Sequence, residues 1–485
     1  MAYLGIDVGT QSLKAVVLDA NLRLLGSGSV GYQPSFPRPG WAEQDPSVWS
    51  KALRPAIAAA LSAASVAADG LSAVAICGQL DGCIPVDNDN VPLGPAILWM
   101  DRRADSLLGG IDASYVHRTC GLVCDATHMG AKIAWHTQQA IRNVARWHQP
   151  VTFLVAQLTG RSTMARSLAS TTMLYDVQRR DWDESLVAAF GANRAQLPEL
   201  GEDTEMAGYI TDAGAELSGL PRGLPVAIGT GDDFSNLIGA SVTLPGTIGV
   251  SLGTAETVGA LATSPIIDPQ MLVETHAFPG GLYHLGNPGW LSGGAVRWAQ
   301  VLLAIDNDTA FSALAASAPP GADGVRFLPT LSGAMAPKWI GPARGAFLGL
   351  TPSHGRAHMA RAVFEGTAFA MRDVIDRLAA LGLPIDRLRL VGGGARSVEW
   401  CQIRADLTGL PTEIVDAGDA SATGAALIAA VAVGAWDSLG AAADALSLPI
   451  RHLVPDPAKR AAYDAAYHDY RAHFVALEPF WLSQS

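Results

Sequence analysis

The chain has 485 residues, with 33 Lys and Arg against 45 Asp and Glu, for a formal net charge of −12. Only 16% of residues are charged and 49% are hydrophobic, with a mean hydropathy of +0.22, which excludes a largely disordered chain. The acidic balance argues against a nucleic-acid surface, which needs an excess of Lys and Arg, but not against a small anion held by backbone N–H groups.

At about 150 residues per domain, the length fits three units or two large ones. Five cysteines, an odd number without dense spacing, fit a reducing compartment. The opening MAYLGIDVGTQS reaches Asp7 with no basic leader, and the most apolar stretch, 422–436, reads as a buried Ala/Gly-rich helix. A cytoplasmic protein without membrane contact is the expectation.

Residues 3–8 (YLGIDV) and 13–19 (LKAVVLD) read as strands joined by the polar turn Gly9-Thr10-Gln11-Ser12. A third run, LRLLGSGSVGY, precedes a Pro/Gly-rich loop and an Ala-rich amphipathic helix over 46–68. A strand over 73–77 leads into Gly78-Gln79-Leu80-Asp81-Gly82 and a hairpin turned at Asp87-Asn88-Asp89-Asn90. Further on, a strand at 225–228 runs into Gly229-Thr230-Gly231-Asp232-Asp233-Phe234 and a helix over 235–240. Near 246 the opening recurs, since GTIGVSLGTAETVGALA again reads as strand, Gly-Thr turn, strand. Helices are expected over 293–303, 357–381 and 398–408, with a strand at 387–391 between them. This alternation predicts an α/β protein of two similarly built domains, divided near Pro245-Gly246 into 1–245 and 246–485, with some chain crossing back.

Three segments carry chemistry. Asp7-Val8-Gly9-Thr10-Gln11-Ser12 combines glycine, hydroxyls and a carboxylate that could hold Mg²⁺ through water, and Lys14 adds a cation. Alone it would be an ordinary hairpin turn; the second turn, Ser251-Leu252-Gly253-Thr254-Ala255, makes a two-sided clamp on one triphosphate the better reading. Asp232, lifted by glycines at a strand end, could take a proton from a hydroxyl while Asp233 caps the helix over 235–240; a helix cap alone is the competing reading. Val391-Gly392-Gly393-Gly394-Ala395-Arg396-Ser397 lets a flat ligand or phosphates approach a helix start, or serves only tight packing.

Other patterns are discounted. Gly26-Ser27-Gly28-Ser29-Val30-Gly31 is followed by Pro34, Pro37 and Pro39 where a dinucleotide fold would start its helix. There is no Walker motif. The His117–Cys120–Cys124–His128 spacing lacks a C-x₂-C knuckle, so no zinc site is expected. Trp290, Trp298 and Trp400 are expected in the core or on a substrate wall.

Together these segments resemble the FGGY carbohydrate kinases, of the actin/Hsp70/hexokinase-type ATPase superfamily. The resemblance is carried by IDVGTQSLKAVVLD (6–19), GWAEQDPSVW (40–49), ILWMDRRA (97–104), GTGDDFSNLIGA (229–240) and SLGTAETV (251–258). It continues through LSGGAVRW (291–298), PARGAFLGLTPSH (342–354) and VGGGARSVEWCQIRADLTGLP (391–411). It implies two ribonuclease-H-like domains around a central cleft, the first with the sugar side and the second with the nucleotide side.

By this resemblance Asp7 lies near Mg²⁺, and Thr10, Gln11, Ser12 and Lys14 form the first phosphate hairpin. Gly253 and Thr254 form the second, Gly293 lies by the nucleotide, and Gly394, Ala395 and Gln402 lie on the adenosine side. Asp232 is the implied general base, with Leu80, Asp81, Trp99, Asp101 and Asp233 reading the sugar. The implied partners are ATP, Mg²⁺ and a small ketose, D-xylulose first, with a homodimer as the family's habit. The xylulokinases usually carry Gln-Met-His-Gly where this chain has Gln79-Leu80-Asp81-Gly82, and Glu-Arg-Thr-Pro where it has Ala334-Met335-Ala336-Pro337. An ionised carboxylate accepts but does not donate hydrogen bonds, so the hydroxyl preference is expected to differ. Other ketoses, pentitols and a non-kinase ATPase are the alternatives.

Overall fold

The computed structural model describes residues 1–483. Its first hairpin joins β1 (Ala2–Val8) to β2 (Ser12–Asp19), antiparallel from Ala2–Asp19 to Val8–Leu13. β3 (Leu24–Gly31) extends the meander on one side. β4 (Leu71–Gly78) pairs parallel with β1 on the other. Beyond β4 lie β5 (Met206–Tyr209) and β6 (Pro225–Ala227), and the short β7 (Thr230–Gly231) pairs with the end of β4. Strands β1 and β4 are buried nearly throughout, as expected of parallel neighbours covered on both faces.

A second seven-stranded sheet repeats the plan. It comprises β8 (Gly246–Leu252), β9 (Ala255–Ala262), β10 (Glu274–Phe278), β11 (Leu282–Leu291), β12 (Ile385–Val391), β13 (Thr412–Val415) and β14 (Ile450–Leu453). The order β3-β2-β1-β4-β6 in the first sheet matches β11-β9-β8-β12-β13 in the second. In each, three antiparallel strands are followed by two parallel ones. The recurring strand–turn–strand pattern thus marks two equivalent central hairpins.

Helix α1 (Ser47–Ala64) covers β3 at very short range. A Cβ on Gly26 would stand 2.4 Å from Ala64 N, and one on Gly28 2.5 Å from Ala56 O. These glycines of the G-x-G-x-x-G string therefore serve helix-on-sheet packing.

The remaining helices that shape the cleft are α2 (Met129–Gln138), α3 (Asp232–Gly239), α4 (Gly293–Leu302), α5 (Arg356–Ala380), α6 (Val398–Thr408) and α7 (Ala420–Ala432). Although it lies in the chain between β13 and β14 of the second sheet, α7 packs on β1, β4 and α3 of the first. The approach is backbone to backbone: a Cβ on Gly5 would lie 1.9 Å from Ala422 O, and one on Gly424 2.0 Å from Ser235 O. Among the described residues, no helix is long and apolar enough to cross a membrane.

Two local expectations are corrected. The helix after Gly231 starts at Asp232 rather than at 235, with Gly231 at the N-cap and no side-chain cap, so neither aspartate caps it. Leu80 fills the space where a Gly231 Cβ would be, 2.1 Å from its Cδ2, which explains a glycine there. The 392–394 glycines also do not open a helix directly. A 3₁₀ turn, Gly393–Arg396, intervenes, and Ser397 caps α6 by accepting the Trp400 N–H.

Candidate active site

The β1–β2 turn has its carbonyls tied down from behind. The Tyr32 hydroxyl donates to Gly9 O at 2.8 Å, Gln44 Nε2 to Thr10 O at 3.2 Å, and the Tyr32 N–H to Gln11 O at 2.9 Å. A trans peptide sets its N–H opposite its C=O, so pinning the Gly9 and Thr10 carbonyls turns the Thr10 and Gln11 amides toward the cleft. The β8–β9 turn does the same. Ser292 and Gly294 N–H groups donate to Thr254 O, and Gly293 N–H donates to Gly253 O at 3.2 Å. A Cβ on Gly293 would meet Gly253 O at 2.4 Å, so Gly293 acts by lying beneath the hairpin. Arg297, which sequence reasoning missed, donates from Nη2 to Thr254 Oγ1 at 2.6 Å.

A group of interacting carboxylates gathers around Asp7, just before the first turn. Asp7, at the penultimate position of β1, has a buried Oδ1 with no partner. Burial chiefly pushes its pKa up to about 7; Lys14 opposes the shift, and Asp419 and Asp233 add to it. Asp232 sits well above the ordinary carboxylate range, first through burial and then through the charges of Asp233 and Asp7. Burial likewise raises Asp233, whose N–H donates to Asp232 Oδ1 at 3.0 Å. Protein atoms crowd around both groups, yet Asp232 is only partly buried from solvent and Asp233 is exposed. Lys14 Nζ reaches Asp419 Oδ1 at 2.8 Å, a residue at the start of α7 that sequence reasoning also missed.

The half-exposed Trp99 donates from Nε1 to Thr10 Oγ1 at 3.1 Å, linking the expected sugar side to the first hairpin. Leu80 lies against Gly231, beside Asp232. Three expected ligand-reading residues are committed elsewhere. Asp101 accepts the Ala42 N–H at 2.6 Å and is paired with Arg103, whose guanidinium covers the Trp41 ring at 3.7 Å; this carboxylate braces the wall from behind. Asp81 is buried and accepts from Met129 N–H and the Thr171 hydroxyl. Gln402 Nε2 donates to Asp406 Oδ1 and Val454 O, so only its oxygen is left for a ligand. On the same side Ala395 is buried and presents backbone alone, and a Cβ on Gly394 would meet Trp400 at 2.8 Å.

The residues fit a nucleotide with its cation. The orphaned Asp7 oxygen suits a cation or its water, and the two amide-bearing turns suit phosphate oxygens. Trp400 stacks on Phe364 in the core, and Trp290 is buried as well. Among the described residues, no group of three or more His, Cys, Asp or Glu is arranged to hold a metal by itself.

Comparison with known proteins agrees with this geometry. The N-terminal domain of the FGGY family of carbohydrate kinases matches residues 2–239, and its C-terminal domain matches 248–433. The chain is 31% identical to xylulose kinase from Escherichia coli, over 98% of this chain and 99% of that one. It is also 31% identical to glycerol kinase from Thermococcus gammatolerans, over 90% of each. The crystal structure of xylulose kinase from Rhodospirillum rubrum superposes with a TM-score of 0.91 at 29% identity, covering 99% of this chain and 100% of that one. With both halves matched in order and members of the family similar over the full length, the chain belongs to the FGGY family of carbohydrate kinases, ATP-dependent phosphotransferases.

Proposed function

We propose that this enzyme transfers the γ-phosphoryl group of ATP to a primary hydroxyl of a small ketose, D-xylulose at O5 first, giving D-xylulose 5-phosphate. The observation that carries the reading is the position of Asp232. It stands at the end of β7 on the cleft floor, against Leu80 and Gly231, with the orphaned Asp7 carboxylate close enough to raise its proton affinity. Residues 1–245 supply the sugar wall, the first hairpin and the base; 246–485 supply the second hairpin and the nucleotide side. The similarity to xylulose kinases supports the sugar, and the similarity to glycerol kinases makes a short polyol the second reading.

Phosphoryl transfer asks for alignment and charge neutralisation more than covalent help. Asp232 would orient the attacking hydroxyl and accept its proton. Thr10, Gln11, Ser12, Gly253 and Thr254 would hold phosphate oxygens from two sides. Lys14 would exchange Asp419 for a phosphate oxygen. Mg²⁺, when bound near Asp7, supplies neutralisation of phosphate charge. Asp233 and Trp99 would line the sugar.

The test is ATP consumption by the purified protein with Mg²⁺ and a panel of D-xylulose, other ketoses, pentitols and glycerol. The reading expects the highest kcat/KM with D-xylulose. A polyol preference would replace the substrate, and sugar-independent hydrolysis would favour a non-kinase ATPase.

A further inference from the structure

A buried ionic chain runs from the sugar-side loop to the edge of the second sheet. Asp81 has a left-handed backbone, φ +56°, and the protein occupies every one of its polar atoms. Its N–H donates to Gln149 Oε1 at 2.9 Å and its carbonyl accepts from Lys132 Nζ at 2.9 Å. Its Oδ1 accepts the Met129 N–H at 3.2 Å and the Thr171 hydroxyl at 3.0 Å, while Oδ2 faces His128 Nδ1 at 3.2 Å.

The other side of the His128 ring turns to the second sheet. His128 Nε2 lies 3.6 Å from Glu274 Oε1, on the first residue of β10. Glu274 Oε1 also accepts the Val123 N–H at 2.9 Å, and Oε2 lies 3.8 Å from His276 Nε2. β10 itself is joined to the first half of the chain: the Thr275 N–H donates to Gly121 O, and the Ala277 N–H to Ser170 Oγ.

The ring's charge follows from these neighbours. Burial alone would strip the proton from His128, but Asp81 and Glu274 raise its pKa to about 10. The other ionisable groups facing this cluster are Lys132, His276 and Asp125. Burial lowers both Lys132, to about 8, and His276. Only the imidazolium donates from both nitrogens, so only that form can serve two carboxylates.

We propose that His128 is a positioning residue for sugar selection: its imidazolium bridges Asp81 and Glu274 and so sets the 79–82 loop against the edge of the second sheet. Leu80, next to Asp81, is the side chain that fills the corner at Gly231, one residue before Asp232. A shift of Asp81 therefore moves the wall next to the base. The nucleotide hairpin at 253–254 lies outside the chain of contacts. The proposal rests on the sugar-kinase reading of the cleft for the ligand it affects, and on geometry alone for the clamp.

Two measurements on the full chain decide it. In His128→Gln, the KM of the accepted sugar should rise about tenfold while the KM for ATP stays within about twofold. Because the clamp couples two charges, Asp81→Asn/His128→Gln should lose less than the sum of the single variants. Equal shifts in both KM values, or strict additivity, would overturn it. Hydrogen exchange on the ligand-free protein needs no sugar. Amides of 79–82 and of Glu274–Phe278 should lose protection together in His128→Gln, and loss confined to 125–132 would overturn the clamp. If wild-type protein turns over no sugar in the panel, the sugar reading fails, while the exchange result still decides the clamp. Should His128→Gln fold poorly, Glu274→Gln cuts the same bridge from its other end and must give the same paired loss.

Discussion

Lys14 and Asp419, 405 positions apart in the chain, meet at 2.8 Å and tie β2 to the start of α7. Both are more than a third exposed, so the pair contributes no more than about 1 kcal/mol to stability. Its interest is positional, since a phosphate oxygen that reached Lys14 would have to compete with Asp419 for it. Asp419→Asn should leave the melting temperature within about 2 °C of wild type. It should also tighten ATP binding by calorimetry, because it frees Lys14 and removes a negative charge. Lys14→Met should weaken ATP binding about tenfold or more. Weaker nucleotide binding in Asp419→Asn would show that Asp419 supports the ligand rather than competing with it.

For Asp232→Ala, the expected outcome is a fall in kcat of about 10²–10⁴ with nucleotide affinity nearly unchanged. As the proposed base, Asp232 would act only when ionised, yet burial and the neighbouring carboxylates favour its protonated form. Activity should therefore rise with pH above the ordinary carboxylate range. In Asp233→Asn, which removes one of the charges that raise Asp232, the rising limb of kcat/KM should lie at lower pH than in wild type. Coincident limbs would remove the aspartate cluster from the explanation.

Asp203 gives a pH test that is independent of catalysis. It is buried behind the loop that carries Asp232, joined through the Ser167 hydroxyl to Thr230, and burial pushes its pKa from 3.8 up to about 7. Between these values the folded state keeps a proton that the unfolded chain has released, so stability must fall as pH rises. Asp203→Asn replaces the neutral acid with a neutral amide. Its stability should approximate wild type near pH 4 and exceed it by up to about 4 kcal/mol above pH 7, as read from denaturant midpoints. A constant difference across that range would refute the buried-acid description.

At Gly424, a Cβ would sit 2.0 Å from Ser235 O, and main-chain atoms cannot rotate aside as a side chain can. Gly424→Ala should cost about 3 kcal/mol or more, at the upper end of overpacking effects. Gly94→Ala, where a Cβ would meet nothing within 4 Å, serves as the control. Similar denaturation curves for the two variants would mean that α3 and α7 slide apart at little cost.

Much of this protein was legible because its main signals are local. The two Gly-Thr turns, the strand–glycine–Asp232 corner and the helix over 398–408 each lie within about a dozen residues of sequence pattern. The parts that were not legible depend on partners far along the chain. Nothing near Asp419 marks Lys14 as its partner. Asp101 reads as an available carboxylate until Ala42, 59 positions earlier, is seen to bind it. Asp81 stood out as a departure from the xylulokinase pattern, but only tertiary structure brings His128 and Glu274 to it. The helix start at Asp232 is hidden from local pattern for the same reason. Two consecutive aspartates resemble a cap, whereas Leu80, from a different strand loop, holds Gly231 in that place.

The pinned carbonyls of the first turn have a consequence for how mutations will be felt. In the proposed site, the groups this turn would offer to phosphate are peptide amides, which no side-chain substitution at Thr10 or Gln11 removes. Their aim depends instead on Tyr32 and Gln44, residues that need touch no ligand. An alanine scan of nucleotide affinity should therefore be more tolerant on the turn than one layer behind it, with Tyr32→Phe already weakening ATP through the loss of one hydroxyl. Substitutions at the visible surface of the site would then be comparatively silent, and its vulnerability would lie in the residues that hold it in place from beneath.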